Sequence, residues 1–299
     1  MRLLAVEYAC AGGEGGDPFF AEGRAMLAAL INDCQKAGFD AVTSLVHPNF
    51  DCGGIPGEIV YVRGDLLDTA REEMRRHDAV WVIAPETRGR LLDFTRLAES
   101  LGKRLIGSSS HAVETCGDKL LASQCLRGVA AMPESRPFDG TCGDFPCVVK
   151  PTDGAGCDNT FLIQNSDDLA ALKLPDDIGF ITQPFIPGEH FSAGIVSCND
   201  DVELLGVCRQ QITVAPQLRF EGVEGPIDYP HSEKVAAMAR AVKSAIPALR
   251  GYWGMDFIDD GFGALTLIEV NPRLTSSYPL YSAAAPFKIP RYAIFGTKQ

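Results

Sequence analysis

An α/β chain built from more than one lobe is the fold class the sequence predicts, and three observations predict it. The first third alternates short apolar strands with amphipathic helices, which argues a small parallel sheet covered by helices. Later segments pair strand-like runs across tight turns, as antiparallel sheets do. The length of 299 residues exceeds what one hydrophobic core comfortably organises, so subdomains around a cleft are expected.

Taken in order, residues 3–6 read as a strand. A helix over 21–36 follows, with Met26, Leu27, Leu30, Ile31 and Cys34 on one face. Residues 41–46 form a second strand, and the loop carrying Gly53, Gly54, Pro56 and Gly57 leads to a strand at 58–62. A helix at 66–76, the continuously apolar strand 79–84, a helix at 91–101 and a strand at 104–107 complete this part. From Ser108 the character changes. A helix at 119–127 passes through the Pro- and Gly-rich linker 133–146 into a strand at 147–150. Strands at 178–184, 191–198 and 203–214, a helix at 232–246 and strands at 252–258 and 265–270 finish the pattern, without internal repeats.

Composition excludes several classes of function. A formal charge of -12 repels a nucleic-acid backbone or an anionic membrane surface, and no basic run relieves it. A few local lysines and arginines with magnesium still suffice for a bound nucleotide, because distant charge is screened. The apolar start 1–6 ends at Glu7, too short for a secretory signal, and no apolar run approaches a membrane span. Ten cysteines run from Cys10 to Cys208 without a CxxC pair, Cys142 and Cys147 being the closest two. Buried reduced thiols in a cytosolic protein are the expectation.

Two clusters carry chemistry. In Val148-Val149-Lys150-Pro151-Thr152-Asp153-Gly154-Ala155-Gly156 a lysine ends a strand just before a loop able to turn backbone N–H groups toward an anion, although a surface hairpin reads the same way. The stretch Gly12-Gly13-Glu14-Gly15-Gly16 does not fit a dinucleotide fingerprint, since Pro18 stands where its third glycine belongs; a loop facing ligand or solvent accounts for it better. The second cluster spans Met255-Asp256-Phe257-Ile258, the turn Asp259-Asp260-Gly261, and Ile268-Glu269-Val270-Asn271-Pro272-Arg273. In an antiparallel hairpin Asp256 and Glu269 share a face, with Asn271 one strand period further on. Two carboxylates and an amide oxygen make a hard site suited to magnesium. A solvated polar face is the alternative, disfavoured by the apolar flanks Ile268 and Val270.

Lys119 in Gly117-Asp118-Lys119-Leu120-Leu121, Lys150, the linker Gln183-Pro184-Phe185-Ile186-Pro187-Gly188 and the ending Glu269-Val270-Asn271-Pro272-Arg273 together resemble the ATP-grasp superfamily in order and spacing, over about residues 108–281. The resemblance implies an ATP-grasp fold with an N-terminal Rossmann-like (pre-ATP-grasp) parallel sheet at 1–108. A small lobe at 109–188 and a C-terminal lobe with the metal site at 189–299 would follow, both α+β and clasping ATP. It also implies roles. Lys119, Lys150, Gly154 and Gly156 contact the phosphates; Gln183, Phe185 and Ile186 bind adenine through their backbone. Asp256, Glu269 and Asn271 hold magnesium, as two ions or with manganese in its place, and Arg273 steadies the transferring phosphoryl group. Where the family often carries paired acids this chain has Gln183-Pro184, a change that backbone recognition tolerates. Glu189 and His190 both lie near the usual ribose-binding acid; Glu189 is the residue expected there, a lone histidine being more often structural.

Val6-Glu7-Tyr8, Ala21-Glu22-Gly23-Arg24-Ala25-Met26-Leu27, Ile83-Ala84-Pro85-Glu86-Thr87 and Ile106-Gly107-Ser108-Ser109 further resemble the tyramine–glutamate ligase branch, which acts in methanofuran synthesis. That implies a cytoplasmic enzyme joining a small-molecule carboxylate to an amine through an acyl phosphate, with no nucleic-acid or membrane partner and a homo-oligomer left open. Glu86 lies just past an apolar strand, where open α/β sheets bind ligands, or serves as a helix N-terminal acid. Arg209 is the candidate for the substrate carboxylate or acyl phosphate, against an edge-strand polar residue. Cys157 reads as incidental rather than nucleophilic. The rivals are an ATP-grasp ligase for another carboxylate and a catalytically silent nucleotide-binding regulator.

Overall fold

The computed structural model describes residues 1–12, 19–51, 53–154, 156–214 and 216–298. Its N-terminal part is a five-stranded parallel sheet of order β3-β2-β1-β4-β5, from β1 (Arg2–Glu7), β2 (Ala41–Val46), β3 (Glu58–Tyr61), β4 (Ala79–Ile83) and β5 (Arg104–Leu105). Every residue of β4 is buried, as the unbroken run AVWVI requires of a strand covered on both faces. Helices α1 (Tyr8–Gly12), α2 (Phe20–Lys36), α3 (Leu66–Arg76) and α4 (Arg90–Ser100) cover it. Helix α3 starts at an Asp65 side chain that accepts the Asp68 N–H and ends on Arg75 and Arg76, both favoured by the helix dipole. The carboxyl ends of β1 and β4 open on the same side, which delivers Glu7 and Ile83 to one edge.

Helices α5 (Ser110–Gly117) and α6 (Lys119–Cys125) come next. The sequence pattern predicts one helix over 119–127. Asp118 divides the two by capping α6, its carboxylate accepting the N–H groups of Leu120 and Leu121, and this turn fixes where Lys119 points. A four-stranded sheet of order β6-β9-β7-β8 contains β6 (Arg136–Pro137), β7 (Cys147–Pro151), β8 (Phe161–Ile163) and β9 (Phe180–Pro184), with α7 (Ser166–Ala171) beside it. A second five-stranded sheet, antiparallel and of order β12-β11-β10-β13-β14, holds β10 (Glu189–Cys198), β11 (Asp201–Thr213), β12 (Arg219–Ile227), β13 (Gly251–Asp259) and β14 (Leu265–Asn271). Helix α8 (Ser232–Ala245) packs Val235, Ala239 and Val242 against it over Phe191, Trp253 and Phe257.

The chain closes with α9 (Tyr278–Ala284) and α10 (Ile289–Phe295), which pack back against α2 and β10. Here Tyr278 donates to the buried Asp33 carboxylate on α2 at 2.7 Å, so the first and last parts share one core. The sequence pattern does not predict α9, α10, β8 or β12. β12 carries charge at Arg219, Glu221 and Glu224 and interrupts itself with two glycines and a proline, so its edge position hides it from a reading of apolar alternation.

Gly194 and Gly206 face each other across β10 and β11, and the Tyr281 ring lies on them while its hydroxyl donates to the Ser192 carbonyl. A Cβ at position 194 would stand 2.4 Å from a ring carbon that cannot withdraw. Gly194→Ala is therefore expected to lower stability by about 2 kcal/mol, in the range for overfilling a packed core, measurable by urea denaturation. An unchanged midpoint would contradict this packing. Among the described residues no helix is long and apolar enough to cross a membrane. The nine described cysteines are all free, with Cys10, Cys34, Cys116, Cys147 and Cys208 buried. The expected loop at Gly13, Glu14, Gly15 and Gly16 lies outside the described residues, as does Ala155.

Candidate active site

A cavity of about 270 Å³ lies where the three sheets meet. The sheet carrying β7 supplies Lys150, Gly154, Gly156, Gln183, Phe185 and Ile186; the C-terminal sheet supplies Asp256, Glu269 and Asn271; Lys119 and Arg273 reach in from α6 and from just beyond β14. The structure thus brings eleven of the thirteen expected site residues to one cavity.

Strand parity explains the other two. Side chains alternate faces along a strand. On β10, His190 and Ser192 face the cavity while Glu189 turns outward; on β11, Gln210 and Ile212 face it while Arg209 turns away. Glu189 and Arg209 instead pair with each other at 2.5 Å at the surface, with the guanidinium over the Phe191 ring. Composition could not reveal which parity faces inward, because Arg209-Gln210-Gln211 is polar at every position.

Two lysines line the cavity side by side. Lys150 ends β7 with only 6% exposure. Lys119 donates its backbone N–H to the Thr152 carbonyl, and its ammonium reaches the Gly154 carbonyl at 3.1 Å and Glu269 at 3.2 Å. Burial, with the Lys119 charge beside it, pushes Lys150 down from 10.5 to about 8. The sign follows directly. A lysine depressed on folding contributes stability that is full above 10.5 and lost as pH falls toward 8, so the protein without ligand should gain stability from pH 8 to 10.5 at this site. An anion on Lys150 needs the charged form, so triphosphate affinity should weaken as pH rises through about 8. Titration calorimetry with ATP on either side of that pH checks it, and equal affinities would remove Lys150 from the binding set.

Opposite the lysines, Asp256 and Glu269 are register partners across β13 and β14, with a bulge directly after Asp256. Gln210 donates to one Asp256 oxygen and Asn271 to the other, each at 3.0 Å. Burial and the Glu269 charge push Asp256 up to about 6. Two carboxylates held as register partners, with the proton affinity of Asp256 raised, are an arrangement a divalent cation relieves, and the donors are all hard oxygens. The residues fit magnesium.

Arg273, its side chain 11% exposed, gives Nε and Nη2 to one Glu86 oxygen at 3.1 and 2.8 Å, while Nη1 donates to the Leu274 carbonyl. Glu86 therefore anchors Arg273 rather than lining the cavity, and its other oxygen, Oε1, is buried without a hydrogen-bond partner among the described residues. The Gln183 amide is likewise engaged, donating to Ser135 at 2.6 Å. That leaves the chain from Gln183 to Ile186, with Val148 and Pro133, to form a mainly apolar slot. The N-terminal part contributes Glu7, Tyr8, Phe19, Glu22 and Met26, with the Phe19 ring against Gly156. Arg88 ties this part to the small lobe, its N–H donating to Asp153 after β7 and its guanidinium to Asp177 before β9.

The ATP-grasp domain family matches residues 116–277, and the pre ATP-grasp 3 domain family matches residues 46–113. A tyramine–L-glutamate ligase of Methanocaldococcus fervens is 28% identical over 288 residues, covering 92% of this chain and 87% of that protein. Its counterpart in Methanocaldococcus jannaschii is 27% identical, over 92% and 83%. Among solved structures, an ATP-grasp superfamily protein from Archaeoglobus fulgidus superposes with a TM-score of 0.75 at 27% identity, over 95% of this chain and 84% of that one.

Proposed function

Because this chain belongs to the ATP-grasp family and is an ADP-forming carboxylate–amine ligase, we propose that its cavity activates an amino-acid carboxylate with ATP and passes it to an amine, with L-glutamate and tyramine as the pair, in methanofuran-type cofactor synthesis. The observation that carries this reading is the meeting of Lys119, Lys150 and Arg273 with the Asp256–Glu269 pair in one cavity. A free carboxylate is a poor acyl donor. Transfer of the γ-phosphoryl group makes it an acyl phosphate, and amine attack then releases phosphate and leaves an amide.

The protein contributes positioning and charge stabilisation to such a transfer. Adenine enters the apolar slot and meets the backbone from Gln183 to Ile186. Lys119 and Lys150 neutralise the phosphates, aided by N–H groups of the loop carrying Gly154 and Gly156. Asp256, Glu269 and Asn271 would hold magnesium, which when bound would supply Lewis-acid polarisation of the phosphoryl oxygens. Arg273, fixed in direction by Glu86, offsets charge on the group in flight. Gln210 orients the Asp256 carboxylate, which its neighbour Arg209 cannot do from the opposite face.

ADP release in the presence of ATP, magnesium and L-glutamate with a panel of amines tests the assignment, the amide being identified by mass. Release that depends on both L-glutamate and tyramine supports it. Release driven by a different carboxylate replaces the substrates and keeps the chemistry; ATP binding without turnover on any pair makes the chain a nucleotide-binding regulator.

A further inference from the structure

Three acids of the N-terminal part lie at or beside the cavity, and two are already engaged. Glu86 is spent on Arg273. Glu7 accepts the Cys10 N–H at 2.7 Å, and its carboxylate packs so closely on α2 that a Cβ at Gly23 would stand 2.5 Å from it. A glycine inside a helix is less favourable than alanine, so this contact gives Gly23 its reason and fixes the helix turn that presents Glu22. Glu22 faces the cavity beside Phe19 and Met26 and makes no hydrogen bond or ion pair among the described residues.

The ligase reading leaves one proton unassigned. A primary amine reaches the enzyme as an ammonium ion, which has no lone pair to attack with. Resting on that reading, we infer that Glu22 binds the ammonium of the amine substrate and accepts the proton that frees its lone pair. The freed nitrogen attacks the acyl phosphate carbonyl, the C–N bond forms as the C–O bond to phosphorus breaks, and phosphate leaves with that electron pair. The second nitrogen proton departs on the phosphate. The surroundings of Glu22 suit a proton acceptor. Burial among apolar neighbours raises its proton affinity, while Arg273, near enough to oppose that shift, stands on the side where the phosphoryl group arrives.

Hydroxylamine separates this step from the one before it, because it is uncharged at neutral pH and traps an acyl phosphate as a hydroxamate without giving up a proton first. Wild type, Glu22→Gln and Glu22→Asp are each supplied with ATP, magnesium and L-glutamate, then with either tyramine or hydroxylamine; ATP binding verifies that each variant is folded. The ratio of amide to hydroxamate is expected to fall about a hundredfold in Glu22→Gln, the scale of general-base assistance, and to fall less in Glu22→Asp. An unchanged ratio in Glu22→Gln overturns the role of Glu22 alone. Equal loss of both products with ATP binding intact also overturns it, since the defect then precedes amine attack. Failure of the wild type to form either product overturns the ligase reading beneath it.

Discussion

Glu269→Gln is expected to lower ATP-dependent turnover by about 10² to 10³-fold, the loss typical of removing one preorganised charge-stabilising group. The substitution keeps the shape of the side chain and removes its charge. Two consequences follow from the geometry. Asp256 loses its partner carboxylate, so the pair can no longer hold a divalent ion with two negative charges. Lys119 loses the carboxylate at 3.2 Å, and Lys150, already depressed to about 8 partly by Lys119, loses a charge that holds it up. Metal and triphosphate affinity should therefore weaken together. Manganese binding followed by electron paramagnetic resonance, beside kcat/KM for ATP, separates the two effects. Unchanged manganese affinity would take Glu269 out of the metal site.

Arg273→Ala should combine loss of turnover with a large loss of stability. The guanidinium is the partner of a Glu86 side chain that is only 3% exposed and has one oxygen without a hydrogen-bond partner among the described residues. Removing one member of such a pair leaves a buried charge without compensation, which costs about 3–5 kcal/mol. Replacing both partners by apolar residues removes that penalty, so Glu86→Leu with Arg273→Met is expected to recover most of the stability seen in chemical denaturation and none of the turnover. Recovery of activity by the double variant would mean that Arg273 acts only as structural support.

The fold was legible where burial writes an unambiguous pattern. The runs LLAV and AVWVI are apolar throughout because helices cover both faces of the parallel sheet, and the hairpin facing Asp256 to Glu269 follows from strand period and a single Asp-Asp-Gly turn. Lys150 was legible because local sequence marks a Lys-Pro strand end, whereas Lys119 was legible only through the family resemblance, its aspartate cap emerging with the structure. Parity along a uniformly polar strand was not. Arg209 and Gln210 differ by one position, and only the register of β11 against β10 decides which meets Asp256. Contacts between distant parts were equally hidden, since nothing local in Glu86 announces a partner 187 positions away. Gly23 is an intermediate case: a glycine within an otherwise good helix pattern signals a close approach without saying to what.

The central claim is that ATP activates a carboxylate in this cavity by phosphorylating it. Incubation of the protein with ATP, magnesium, tyramine and L-glutamate labelled with ¹⁸O in its side-chain and α-carboxylates tests that claim most directly. An acyl phosphate route transfers one labelled oxygen to inorganic phosphate for each amide formed, detected by mass or by the phosphorus resonance shift. Amide formation with unlabelled phosphate, or with the label in AMP, would contradict it.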